Sequence, residues 1–178
     1  MDGIIKMKYP IGKFKSPEKI DSEHIKEWIS EIDSFPSRIK GLTEKLSEED
    51  LKLKYRPEGW TIHQIVHHCA DSHMNSFIRF KLSMTEDTPT IKPYYEGKWA
   101  DMPDYSLAPI KESIKIIEGL HVRWVILLKS LNLKDLKKEF IHPEHGSRFT
   151  LGENIGIYAR HSNHHLAHVK LALKNKVI

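Results

Sequence analysis

The segment that best defines the fold is Thr61–Thr85, with the sequence TIHQIVHHCADSHMNSFIRFKLSMT. Thr61 is a preferred residue for the start of a helix, and Gln64, three positions later, completes a capping box. Trp60 before the cap and Ile65 after it can form a hydrophobic staple across the same end. The segment therefore predicts a helix that begins after Thr61 and ends near Thr85.

Three further segments of similar length show a helical pattern. In 21–46 and in 106–131, apolar residues recur at alternating steps of three and four, which is the spacing of one buried helix face. A second capping box, Thr150 with Glu153, opens the last segment, 150–174. These patterns predict three more helices.

The predicted fold class is all-α. No segment shows sustained strand-like alternation, and four helices with two long connections between them are typical of a four-helix bundle. Pro36 lies inside the first predicted helix and should bend or locally break it. We expect residues 1–178 to form a single domain.

The composition indicates a compact soluble chain. Of the 178 residues, 39% are hydrophobic and 29% are charged, and the net charge is +4. Basic residues are interleaved with acidic ones, so we expect no nucleic-acid partner. No apolar stretch is long enough to span a membrane, the N-terminal residues do not resemble a secretory signal, and the lone Cys69 cannot form an intramolecular disulfide. We therefore expect a cytoplasmic protein with no membrane partner.

Histidine is the residue type that stands out, with twelve copies. Three fall within 63–68, and four fall within 161–168. His161 and His165 are four apart on a predicted helix, so both imidazoles project from one face and can bind the same ion. The two clusters predict a metal site that is assembled in space.

The third ligand of such a site must come from another helix. His67 and His68, from the cluster within 63–68, are two candidates. The apolar stripe of the second predicted helix passes through His73 and that of the third passes through His121, so the stripes favour these two instead. A histidine on an apolar stripe is more often a hydrogen-bonded core residue, or a donor that orients a ligand, than a ligand itself. The residue pattern alone leaves the third ligand open. Three neutral imidazoles would leave the ion with its full charge and an open position, as in catalytic sites.

Seven short motifs extend over nearly the whole chain. They are Tyr9-Pro-Ile-Gly12, Gly59-Trp-Thr, Val66-His-His68, Ala70-Asp-Ser-His-Met-Asn-Ser76, Arg79-Phe-Lys-Leu82, His142-Pro and the run from His161 to His168. Together these motifs resemble the YfiT branch of the DinB-like superfamily. The long block on the second helix makes the resemblance specific, because a single pair of histidines four residues apart is common.

The resemblance implies a four-helix bundle that forms a homodimer and holds one divalent metal ion per chain, zinc or nickel, through three histidines. In the family the first ligand follows the helix-opening tryptophan by eight residues, which from Trp60 is His68. The histidine pair corresponds to His161 and His165. The resemblance thus selects His68, which the apolar stripe does not.

The resemblance also implies a function, that of a metal-dependent hydrolase acting on a small-molecule substrate. One alternative is an S-transferase that uses bacillithiol or a similar low-molecular-weight thiol, and another is a non-catalytic metal-binding stress module. Asp71, His73 and His142 are candidate catalytic residues that carry protons or orient other groups; Asp71 lies one helical turn after His68. The stretch 86–105, rich in proline and aromatic residues, is expected to line or cover the site.

Overall fold

The computed structural model describes residues 2–144 and 146–176, most of which lie in four long helices. Short helices, a 3₁₀ turn and a small hairpin occupy the connections. The elements are α1 (Asp2–Lys8), α2 (Ser22–Thr43), α3 (Glu48–Leu51), α4 (Ile62–Thr85), α5 (Glu96–Trp99), α6 (Asp104–Leu107), α7 (Ile110–Ser130), the 3₁₀ turn Asp135–Lys137, β1 (Glu139–His142), β2 (Ser147–Thr150) and α8 (Leu151–Asn175).

The two predicted capping boxes are present. At the start of α4, the Thr61 hydroxyl accepts a hydrogen bond from the backbone N–H of Gln64, and the Gln64 side chain accepts one from the backbone N–H of Thr61. Thr150 and Glu153 make the same reciprocal pair at the start of α8. These bonds satisfy N–H groups that the first turn of a helix leaves without a partner. The beginnings of both helices are therefore confirmed.

Two predicted helix features involve proline. The helix α2 continues through Pro36, so Pro36 does not break it, and the alternative of a bend stays a prediction. The third long helix starts at Ile110 rather than near residue 106, because Ala108 before Pro109 is extended and ends the short helix α6.

A β-hairpin precedes α8 and was not expected from the sequence. Strands β1 and β2 pair antiparallel, with Phe140 opposite Phe149 and the two rings stacked 5.7 Å apart. Each strand has only four residues, which is too short for alternation to be recognised. The all-α four-helix bundle is confirmed, with this hairpin added in the last connection.

The four long helices form a ring in which each packs against two neighbours. Helix α2 packs against α7 and α8, and α4 packs against the same two helices. Consecutive long helices, α2 and α4, therefore lie diagonally across the bundle. This arrangement places α4 beside α8, which is the pair that carries both histidine clusters.

The core is divided into two hydrophobic clusters by a layer of histidines. On α4, the first cluster ends at Ala70 and the second begins at Phe77. On α7 the change occurs between Ile117 and Trp124, and on α8 it occurs between residues 159 and 166. The buried histidines and serines of these intervals lie between the clusters. Because an unpaired polar group is costly to bury, such a layer requires internal partners or a ligand.

Within the described ranges, no helix has both the length and the hydropathy that crossing a bilayer requires. The expected single domain, the homodimer and the cytoplasmic location stay predictions.

Candidate metal centre

Three histidines from α4 and α8 converge beside this layer. His68, His161 and His165 each offer a ring nitrogen, and these three atoms lie within 4.8 Å of one another. His68 and His165 are each only 6% exposed, and His161 is partly buried. The four-residue spacing on α8 places His161 and His165 on one face, and the packing of α4 against α8 brings His68 to them.

The nitrogen spacing fits a shared ion. The Nε2 atoms of His68 and His161 lie 3.2 Å apart. Two imidazole nitrogens on one tetrahedral Zn²⁺, each at about 2.0–2.1 Å from the ion, are about 3.3 Å from one another. Among the described residues, no hydrogen-bond partner is available to the buried Nδ1 atom of His165. The three side chains therefore match the geometry and the chemistry of a divalent-metal site.

Burial keeps these imidazoles neutral. Desolvation lowers the pKa of His68 to about 3, with smaller contributions from His164 and His168. The pKa values of His161 and His165 also lie well below the usual range, chiefly because both rings are buried. A neutral imidazole has a lone pair available for a metal, so the site requires no deprotonation at neutral pH.

The three histidines open onto a cleft of about 720 Å³. This volume lies in the range of small-molecule sites. The Trp60 ring packs against the His68 ring, with a centroid distance of 4.6 Å. Other cleft residues include Arg56, Arg79, Tyr94, His142 and Tyr158. Of the stretch 86–105, only the part 93–97 contributes to the cleft wall, through Pro93, Tyr94, Glu96 and Gly97.

The DinB superfamily is the family whose sequence pattern matches, over residues 31–169. The chain belongs to this family. Two similar proteins, from Oceanobacillus iheyensis and Bacillus cereus, are provisionally named metal-dependent hydrolases. The first is 49% identical over 95% of this chain and 97% of the relative, and the second is 50% identical over 92% and 93%.

A solved structure of the same family has the same fold. YfiT from Bacillus subtilis is described as a probable metal-dependent hydrolase with an unusual four-helix bundle topology. YfiT is 41% identical to this chain, and the match covers 96% of this chain and 98% of YfiT. The two structures superpose with a TM-score of 0.92. The resemblance to the YfiT branch is thereby confirmed, and a divalent metal agrees with both the family and the three-histidine cluster.

The three other candidates for the third ligand, His67, His73 and His121, are not part of the three-histidine group. His67 donates from Nε2 to the Ala108 carbonyl over 3.1 Å and accepts at Nδ1 from the Ser113 hydroxyl over 2.7 Å. His73 is fully buried behind the site, with its Nε2 atom 3.1 Å from Nδ1 of His161. His73 therefore contacts a candidate ligand through that ligand's second nitrogen.

The candidate catalytic residues Asp71 and His142 have different surroundings. Asp71 accepts a 2.6 Å hydrogen bond from the Tyr105 hydroxyl, and burial raises the pKa of its carboxyl group. His142, at the end of β1, lines the cleft beside the three histidines. Their catalytic roles stay predictions.

Sequence reasoning missed a group of hydroxyls next to His161. The Ser72 hydroxyl lies 3.4 Å from His161 Nε2 and 3.5 Å from the Tyr158 hydroxyl. Burial raises the pKa of the nearby Tyr94 phenol. Ser72 follows His68 by four residues and Tyr158 precedes His161 by three, so helical spacing from the ligands could have found both.

Proposed function

We propose that this protein is a metal-dependent hydrolase that uses one divalent ion, zinc or nickel, held by His68, His161 and His165. The observation that carries the proposal is the convergence of three neutral imidazoles at the wall of a cleft of about 720 Å³. The cleft has the size for a small-molecule substrate. The names of the relatives support the same reaction class.

Three neutral ligands are suited to this chemistry. A divalent ion in such a site supplies Lewis acidity both to water and to the substrate group under attack. The imidazoles add no negative charge that would weaken this effect. Trp60 covers one side of His68 and limits the access of bulk water to the ligands.

The surrounding side chains would bind and orient the substrate. Ser72, Tyr94 and Tyr158 bring hydroxyl groups to the cleft wall, and the raised pKa of Tyr94 keeps its phenol protonated as a donor. His142 can take up or release a proton at the cleft surface. We assign Asp71 to holding Tyr105, since Oδ2 of its carboxylate accepts the hydrogen bond from the Tyr105 hydroxyl.

Hydrolysis by the purified, untagged protein tests this proposal. After loading with Zn²⁺ or Ni²⁺, the wild type should hydrolyse at least one member of a panel of esters, amides and phosphate esters. His165→Ala should lose the activity. His24→Ala removes a half-buried histidine that lies outside the cleft and pairs with Asp21, and it should retain the activity.

A second arm of the same experiment tests thiol transfer. The protein is incubated with a low-molecular-weight thiol, such as bacillithiol, and the electrophile monochlorobimane. Metal-dependent loss of the thiol, without hydrolysis of any substrate, would indicate that the protein is an S-transferase and not a hydrolase. A saturated ion without exchangeable water, and with no turnover in either arm, would instead indicate a non-catalytic metal-binding module.

A further inference from the structure

A chain of three histidines leads away from the candidate metal centre through the core. His161 Nδ1 lies 3.1 Å from His73 Nε2, and His73 Nδ1 lies 2.8 Å from His121 Nε2. His121 Nδ1 in turn lies 2.7 Å from the backbone carbonyl oxygen of Ile32. The chain thus links α8, α4, α7 and α2 at the level of the histidine layer.

The last member of the chain sets the direction of every hydrogen bond. A carbonyl oxygen can only accept, so Nδ1 of His121 carries a proton and donates a hydrogen bond to the Ile32 carbonyl. Nε2 of a neutral His121 is then an acceptor, and His73 must donate from Nδ1. By the same step, Nε2 of His73 accepts from Nδ1 of His161, which leaves Nε2 of His161 without a proton.

The neutral state that this argument needs follows from burial. His73 is 0% exposed and His121 is 2% exposed. A charged imidazole is costly to bury, so burial keeps both rings neutral, and desolvation lowers the pKa of His121 to about 4. Phe35 packs against both rings, at centroid distances of 4.9 and 5.6 Å.

Pro36 leaves the Ile32 carbonyl, at the end of the histidine chain, without its usual helical donor. In an α-helix the carbonyl of Ile32 would accept from the backbone N–H of the residue four positions later. That residue is Pro36, which has no N–H. The uninterrupted helix α2 therefore presents one carbonyl without its usual donor at the position that His121 reaches.

We propose that His73 and His121, anchored on the carbonyl that Pro36 leaves free, are positioning residues that hold His161 as the Nδ1–H tautomer and direct its Nε2 lone pair at the metal. This inference rests on the proposed metal site. Partners of the second ring nitrogen generally fix the tautomer and orientation of a ligating histidine, and removing them costs about 10–100-fold in metal affinity.

The tautomers can be read in the wild-type protein without metal. Long-range ¹H–¹⁵N spectra of the imidazoles distinguish a protonated from a bare ring nitrogen. We expect His161, His73 and His121 all to be protonated at Nδ1 and bare at Nε2. A proton on Nε2 of His161 or His73 would overturn the proposal, whatever the protein binds.

Zinc affinity, measured by competition with a chelating dye, provides the second test. His73→Phe should weaken Zn²⁺ binding about 10–100-fold, and His121→Phe should weaken it in the same direction. His73→Gln supplies an acceptor oxygen to His161 and should recover part of the loss. His67→Phe removes a buried histidine of the same helix whose two ring nitrogens are bonded to Ser113 and Ala108, and its zinc affinity should match that of the wild type.

Pro36→Ala tests the end of the chain from outside the site. It gives the Ile32 carbonyl a second donor beside His121, which should weaken their hydrogen bond and with it zinc binding, although no side chain near the metal has changed. Equal zinc affinity in wild type, His73→Phe and Pro36→Ala would overturn the inference. Failure of the wild type itself to bind zinc would overturn the proposed function, while the tautomer pattern would still decide whether the chain is ordered as inferred.

Discussion

Replacing His68 or His165 by alanine is expected to abolish metal binding. Each variant leaves two of the three imidazoles, which is one fewer than the three protein ligands that such a site uses to hold its ion. The loss in affinity should exceed the roughly 100-fold that removal of an orienting partner costs. The measurement is the metal content of untagged protein by plasma mass spectrometry, together with zinc affinity by dye competition.

His67→Ala is the matched control for these ligand variants. It deletes a neighbouring buried histidine whose two ring nitrogens are bonded to Ser113 and to the Ala108 carbonyl. Circular dichroism should show that all three variants retain the helical fold. If His68→Ala and His165→Ala bind metal as well as wild type does, the three histidines are not the ligands.

The metal-free protein is expected to lose stability steeply as the pH falls below about 6.5. Burial lowers the pKa values of His121 and His168 to about 4, whereas both titrate near 6.5 in the unfolded chain. The unfolded state therefore binds more protons between these values, and acid favours it. By linkage, each of the two histidines should lower the free energy of unfolding by about 2 kcal/mol between pH 7 and pH 5.

Denaturant unfolding at a series of pH values measures this loss. Because Zn²⁺ binds neutral imidazoles in the folded state, saturating zinc should restore stability and move the acid transition to lower pH. Above about pH 7 these two histidines are neutral in both states, so they should make the free energy of unfolding vary little with pH. A free energy of unfolding that stays constant from pH 7 to pH 5 would show that folding does not hold His121 and His168 neutral.

Much of the fold could be predicted because its determinants are local. The capping boxes at Thr61 and Thr150 define helix starts through residues three positions apart, and the apolar stripes define the buried faces. The hairpin was missed because its four-residue strands are too short to show alternation. Pro36 does not break α2 because packing against α7 and α8 keeps this helix continuous, and the freed carbonyl accepts a hydrogen bond from His121.

The candidate site was predictable in part. Spacing identified His161 and His165, but it could not choose among four histidines for the third position, and the choice of His68 came from family resemblance. Which ring faces the cleft depends on how α4 and α8 pack, which no local pattern specifies. The histidines that periodicity favoured instead lie behind the candidate ligand His161: His73 contacts His161, and His121 contacts His73.

X-ray absorption at the metal edge of the untagged, zinc-loaded protein tests the central claim most directly. The account predicts about one ion per chain with a first shell of nitrogen or oxygen at about 2.0–2.1 Å, and outer-shell scattering from three imidazoles. Zinc bound through sulfur at about 2.3 Å, or through fewer than three imidazoles, would contradict it.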